Sequence, residues 1–216
     1  MALAIFDLDN TLLGGDSDHA WGEFLYEKGI VGEGYRRRND AYYEDYLAER
    51  LNVVEYIEFT LEPLTAYRLD ELGALQREFM ARKIKPMRLP KAEALLAEHR
   101  DKGDRLLIMT STNRLITEPI AASLQVDELL ATELEIDDNR LTGRLAGRPC
   151  SGEGKVLRLK ERLAETGESL RGSSFYTDSI NDLPLLEIVD HPVAVDPDDS
   201  LRNLAASRGW KVMSLR

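Results

Sequence analysis

The apolar and polar positions along the chain fall into two textures. Leu3-Ala4-Ile5-Phe6 is a short run, apolar on both faces, that stops at Asp7. Such a run suits a central strand of a parallel sheet covered by helices on both sides. Arg105-Leu106-Leu107-Ile108-Met109, Ser174-Phe175-Tyr176-Thr177 and Pro192-Val193-Ala194-Val195 resemble it, and Trp210-Lys211-Val212-Met213 is a weaker final strand. Each of the three is followed by polar residues and then by helical spacing. Strands alternating with helices predict right-handed βαβ crossovers, and so an α/β fold with an open, doubly wound, mostly parallel sheet.

Residues 14–87 have the other texture. Trp21, Phe24 and Leu25, then Tyr42, Tyr43, Tyr46 and Leu47, then Val54, Ile57 and Phe59, then Leu72, Leu75 and Phe79 recur at helical intervals, with no convincing strand. This predicts an all-helical insertion, 14–87, set into a core of 1–13 and 88–216. Gly14-Gly15 and the stretch from Lys85-Pro86 to Leu89-Pro90 are its expected hinges. The core resumes with a helix over 91–101, and Ile136 to Leu141 alternates around a turn as a short hairpin would.

The chain has 216 residues, 43% hydrophobic and 31% charged, and a net charge of −11. One soluble globular protein with a substantial core is expected. The acidic balance argues against nucleic acid and anionic membranes as partners, since both need clustered Lys and Arg. Cys150 is the single cysteine and has no internal disulfide partner, which suits a reducing compartment. The opening segment meets Asp7 too early for a secretory leader, and no run reaches a membrane span. A cytoplasmic location is therefore expected, with the oligomeric state left open.

In open parallel sheets, ligands bind beyond the carboxyl ends of the strands. Those ends carry Asp7 and Asp9, then Thr110-Ser111-Thr112, then Asp178-Ser179-Ile180-Asn181-Asp182, while Lys155 begins a helix after a flexible stretch. Carboxylates gathered on one rim repel unless a cation neutralises them. Hard oxygen ligands without a His or Cys cluster favour Mg²⁺, which takes only one or two carboxylates and keeps several waters. A carboxylate beside it can attack phosphorus, and a second one can move the protons. A hydroxyl and a lysine would hold the other phosphoryl oxygens.

Asp7-Leu8-Asp9-Asn10-Thr11 resembles the DxDxT motif of the haloacid dehalogenase superfamily. Thr110, Lys155 and the pair Asp178 and Asp182 resemble its second, third and fourth motifs in the same order. The helical insertion between the first two motifs is similar to the cap of the phosphoserine-phosphatase-like subfamily. The resemblance implies a HAD-type phosphatase acting on a small phosphate monoester. Asp7 would be nucleophile and metal ligand, Asp9 acid/base with its carbonyl on Mg²⁺, and Asp178 the second carboxylate ligand. Thr110 and Lys155 would clamp the phosphoryl group, with Asp182 and Asn181 supporting and Ser111 on the substrate side. The second Asp favours phosphate chemistry over carbon–halogen cleavage. Thr177 departs from the pattern, standing where many relatives have Gly.

Asp16 lies nine positions beyond Asp7, where phosphoserine phosphatases carry an acidic residue that meets the substrate amine; capping the following helix is an equally good account. Arg36-Arg37-Arg38 reads as a solvated face, and Tyr35, Tyr42, Tyr43 and Tyr46 as core of the insertion. His99 and His191 read as structural or exposed, and Cys150 lacks the context of a nucleophile. Gly152-Glu153-Gly154-Lys155 is no P-loop, because Val156 stands where Ser or Thr should hold Mg²⁺. An acidic entrance without a paired Arg suits an amino-alcohol phosphate, and the resemblance to a subfamily that includes histidinol-phosphate and phosphoserine phosphatases implies histidinol phosphate first and phosphoserine second. Transfer of the phosphoryl group to an alcohol, as in a phosphotransferase or mutase, uses the same residues. A non-enzymatic phospho-Asp binding module is disfavoured by Asp9 and by the large insertion.

Overall fold

The structure, a computed structural model, describes residues 2–48 and 50–216; Met1 of the opening segment and Glu49 of the helical insertion lie outside the described residues. In chain order the elements begin with β1 (Leu3–Phe6), α1 (Ser17–Glu27), α2 (Glu33–Leu47), α3 (Val53–Leu61), α4 (Leu69–Phe79) and the short turn α5 (Lys85–Met87). They continue with α6 (Pro90–Asp101), β2 (Arg105–Asn113), α7 (Arg114–Leu124), β3 (Glu128–Thr132), β4 (Leu134–Asp137), β5 (Arg140–Leu145) and α8 (Glu153–Thr166). The last are β6 (Ser174–Thr177), α9 (Leu183–Leu186), β7 (His191–Val195), α10 (Asp199–Arg208) and β8 (Lys211–Met213).

The described residues form a six-stranded sheet in the order β3-β2-β1-β6-β7-β8, and every neighbouring pair is parallel. Alternation along β1 builds two cores, one on each face. Ala4 and Phe6 join Ile108 and Val195 under α6 and α7, whereas Leu3 and Ile5 join Met109 and Phe175 under α8, α9 and α10. A central strand buried on both faces is the reason β1 reads as a continuous apolar run. The first core runs on without a break into the helices between β1 and α6, through Trp21, Phe24, Ile57, Leu61 and Phe79. The two connections of that helical stretch run side by side. Leu13 bridges Arg88 in antiparallel sense, and Gly14 N–H donates to the Met87 carbonyl.

Two strands depart from the sequence reading, and the hairpin expected over Ile136 to Leu141 is present. β2 does not stop at Met109 but continues through Asn113, with a register shift against β3 between those residues. The bulge pushes Thr110, Ser111 and Thr112 off the regular ladder, and Thr132 Oγ1 restores one lost bond by donating to the Ser111 carbonyl. β3 was not expected, because its edge carries Glu128; that acid is paired by Arg162 at 2.8 Å. The hairpin β4–β5 turns at Asp138 and Asn139, both with positive φ as a two-residue hairpin requires. Its tip docks on the helical stretch, where Leu69 N–H donates to the Asn139 carbonyl and Arg68 bridges Arg140. No described helix is long and apolar enough to cross a membrane.

Candidate active site

The chain turns sharply after β1, and the turn sorts its side chains. Leu8, Leu12 and Leu13 go into the core, and the Leu12 and Leu13 N–H groups both donate to the Leu8 carbonyl. Asn10 takes a positive φ, which Asn tolerates better than most residues. Asp7 and Asp9 are left facing a cavity of about 260 Å³ at the carboxyl ends of the strands, closed above by α1, α2 and α3.

Lys155 sits at the foot of this cavity, 2% exposed, with its Nζ 2.7 Å from Asp7 Oδ1 and 2.7 Å from Asp182 Oδ2. Thr177 Oγ1 donates to the same Asp182 oxygen at 2.8 Å, so the residue that departs from the family pattern takes a defined post here. Burial opposes the charge on Lys155, yet the two carboxylates hold its pKa above the usual lysine value. Burial pushes Asp7 up to about 7 against the pull of the Lys155 ammonium. Asp9 accepts from Ser17 N–H at 2.6 Å and from Thr112 Oγ1 at 2.8 Å; burial first, then the charge of Asp16, raise it to about 7. Thr112 is a functional neighbour that motif reading missed. Only the β2 bulge brings it opposite Asp9, and spacing along the chain carries no sign of that.

The remaining predicted residues are placed as follows. Thr110 and Ser111 line the cavity, and Thr110 Oγ1 accepts from Thr112 N–H at 3.2 Å, which leaves its own proton free to donate. Asp178 stands on an adjoining pocket rather than on the main cavity wall; it accepts from Thr11 Oγ1 at 3.0 Å, and burial and the charge of Asp7 raise its pKa. Asn181 reaches both pockets. Asp16 caps α1, accepting from His19 N–H at 2.8 Å, and it also lines the cavity. Lys155 stands in the first turn of α8, which starts after Gly152 in a backbone conformation that favours glycine (φ 50°). A Cβ on Gly154 would come within 2.1 Å of the Pro149 carbonyl, so one glycine of the stretch is required by backbone conformation and the other by packing, neither by a phosphate loop.

One reading is corrected. Tyr42, Tyr43 and Tyr46 are not core of the insertion; with Tyr56 they line the cavity, while Tyr35 stacks on Phe59. An aromatic stripe on α2 has the same period whether it faces a core or a ligand, so spacing could not separate the two. Arg37 and Arg38 are exposed, and Arg36 pairs with Glu23. His99 is buried between Asp104 and the Tyr176 hydroxyl, and His191 is exposed. Cys150 is buried, and burial pushes its thiol up to about 11, which leaves no nucleophile at neutral pH.

Among the described residues no three His, Cys, Asp or Glu side chains converge as a metal cage. A hard cation held by two carboxylates and a main-chain carbonyl needs no such cage. Asp7 and Asp178 are both desolvated carboxylates, the charge of Asp7 raises the pKa of Asp178, and the donors are all oxygen, so the residues fit Mg²⁺.

A parallel α/β sheet with a lysine-bridged carboxylate cluster at its carboxyl rim, under a helical roof, defines a phosphoryl-handling hydrolase. The haloacid dehalogenase-like hydrolase model matches residues 4–187. A histidinol-phosphatase of Neisseria meningitidis serogroup C (strain 8013) is 42% identical over 219 residues, covering 99% of each chain. A solved protein of unknown function from Bordetella pertussis Tohama I is 42% identical, covers 100% of this chain and 99% of its own, and superposes with a TM-score of 0.93. A substrate-bound phosphoserine phosphatase, 15% identical, covers 100% of this chain and 93% of its own with a TM-score of 0.73, a likeness of fold. The chain belongs to the haloacid dehalogenase-like hydrolase family and is a phosphatase of that family.

Proposed function

We propose that this phosphatase is Mg²⁺-dependent and hydrolyses an amino-alcohol phosphate through a phosphoaspartyl group on Asp7, with histidinol phosphate the first candidate and phosphoserine the second. The observation that carries the reading is the buried Asp7–Lys155–Asp182 contact beneath a cavity walled by acids and tyrosines. Among the described lining residues Lys155 is the only cation, so a phosphate is met at the floor while no arginine meets a substrate carboxylate. That ranks histidinol phosphate above phosphoserine, in keeping with the name of the Neisseria relative.

Lys155 anchors Asp7 Oδ1 and fixes the direction of the carboxylate. Asp7 attacks phosphorus, the new O–P bond forms, and the bond to the alcohol oxygen breaks. Asp9, held by Ser17 and Thr112, gives its proton to the departing alcohol. It then takes a proton from the water that cleaves the phosphoaspartate and restores Asp7. Thr110 and Lys155 hold phosphoryl oxygens. Asp7, Asp178 and the Asp9 carbonyl would hold Mg²⁺, which when bound supplies positive charge against that of the phosphoryl group. Residues 14–87 act as a cap on the core of 1–13 and 88–216, excluding water from the acyl phosphate. A cytoplasmic location fits the lone buried thiol. Phosphate release from a panel of monoesters, with Mg²⁺ or with EDTA, tests the reading. Release that persists in Asp7→Asn would exclude the nucleophile.

A further inference from the structure

Asp18 is the one cavity-lining acid for which neither the acyl-phosphate chemistry nor helix capping gives an account. It lies in the first turn of α1, 5% exposed, and its Oδ1 is buried with no hydrogen-bond partner. The charges that act on it most are those of Asp16 and Asp9, both negative. A buried carboxylate without a counter-charge is costly and is ordinarily paired. Among the described residues none pairs with Oδ1, and Asp18 lines the cavity in which the leaving group would sit. Around it stand Tyr56 on the cavity wall and the Tyr35 hydroxyl, which also lacks a partner. Both tyrosines lie close enough to feel the charge of Asp18, and no ammonium or guanidinium is among the charges that act on it most.

We propose that Asp18 is a specificity-determining residue, which accepts a hydrogen bond from a second basic N–H group of the substrate while Asp16 takes the first. This rests on the amino-alcohol phosphate reading above and narrows it. The leaving alcohol carries two basic nitrogen groups, one of them on a flat ring that fits between tyrosines. An imidazole-bearing amino alcohol has that chemistry, and an alcohol with an amine alone does not.

The test compares kcat/KM for histidinol phosphate (two basic groups), O-phosphoethanolamine (one) and p-nitrophenyl phosphate (none) in the unaltered enzyme and in Asp18→Asn. The ratio of histidinol phosphate to O-phosphoethanolamine should fall about 10- to 100-fold in the variant, the span of one hydrogen bond to a charged group. A ratio that stays within about two-fold overturns the proposal. If Asp18→Asn does not fold, the unaltered protein decides. Histidinol should raise Tm more than phenylalaninol, which has a ring of similar size without the N–H; equal shifts overturn the proposal. Its failure is separable from failure of the parent reading. An enzyme that releases phosphate from p-nitrophenyl phosphate, and loses this in Asp7→Asn, yet does not distinguish one basic group from two, keeps the phosphatase chemistry and discards the role of Asp18.

Discussion

Thr112→Val removes one oxygen and changes little else in shape. In the native site Asp9 accepts two buried hydrogen bonds, from Ser17 N–H at 2.6 Å and from Thr112 Oγ1 at 2.8 Å. The valine leaves Asp9 Oδ2 without the donor that fixes its direction. A hydrogen bond to a charged group is worth about 1.5–3 kcal/mol, so kcat should fall about 10- to 100-fold. KM should move little, because Thr112 holds the acid rather than the phosphate. Losing a donor to the ionised form also raises the pKa of Asp9. Hydrolysis of the phosphoaspartate needs the ionised form, so the acid limb of the kcat profile should move to higher pH. Thr112→Ser keeps the hydroxyl and should recover most of the rate. Steady-state kinetics across pH on all three proteins is the assay. A valine variant with kcat within about two-fold of the parent and an unmoved acid limb would refute the positioning of Asp9 by Thr112.

Further outcomes follow from the packing. Gly22→Ala should destabilise the fold by about 1–3 kcal/mol in urea unfolding, since its Cβ would lie 2.4 Å from Asn39 Nδ2, which is bonded to the His19 carbonyl. Gly154→Ala should cost at least as much and should also lower activity, because its Cβ would meet the Pro149 carbonyl at 2.1 Å and the clash falls in the first turn of α8, where Lys155 stands. Thr177→Val should lose about 1–3 kcal/mol of stability by leaving Asp182 short of a buried donor. Glu133 is held below the ordinary carboxylate range first by its hydrogen bonds from Arg114. A lowered folded pKa gives stability that is present above the unfolded value and lost as pH falls through the folded one. Glu133→Gln should therefore flatten that acid-side part of the Tm profile, and an unchanged slope would contradict the pairing.

The sheet was largely legible because a strand buried on both faces must be apolar throughout, and Leu3–Phe6 obeys that without ambiguity. The edge strand β3, which pairs with β2, was not, because it opens on Glu128 and the arginine that pairs this acid comes from α8, far along the chain. At the site, Asp7, Asp9, Thr110 and Lys155 could be singled out because they follow apolar runs or open a helix in the order of the family's motifs, although β2 itself runs on past Thr110. Thr112 and the tyrosine wall could not. A bulge turns Thr112 toward Asp9, and the orientation of α2 decides which way its stripe faces; both are set by tertiary packing. Asp178 shows the reverse case: its place after β6 was legible, but its seat beside the main cavity depends on Thr11 and on the turn that follows β1.

The most direct measurement of the central claim is phosphate release from histidinol phosphate, phosphoserine and sugar phosphates by the purified protein, with Mg²⁺ or EDTA, alongside Asp7→Asn. The account predicts release that is Mg²⁺-dependent, fastest with histidinol phosphate and absent in the variant. Release from phosphoserine or a sugar phosphate at an equal or higher rate would contradict the substrate assignment, and release that survives either EDTA or Asp7→Asn would contradict the chemistry.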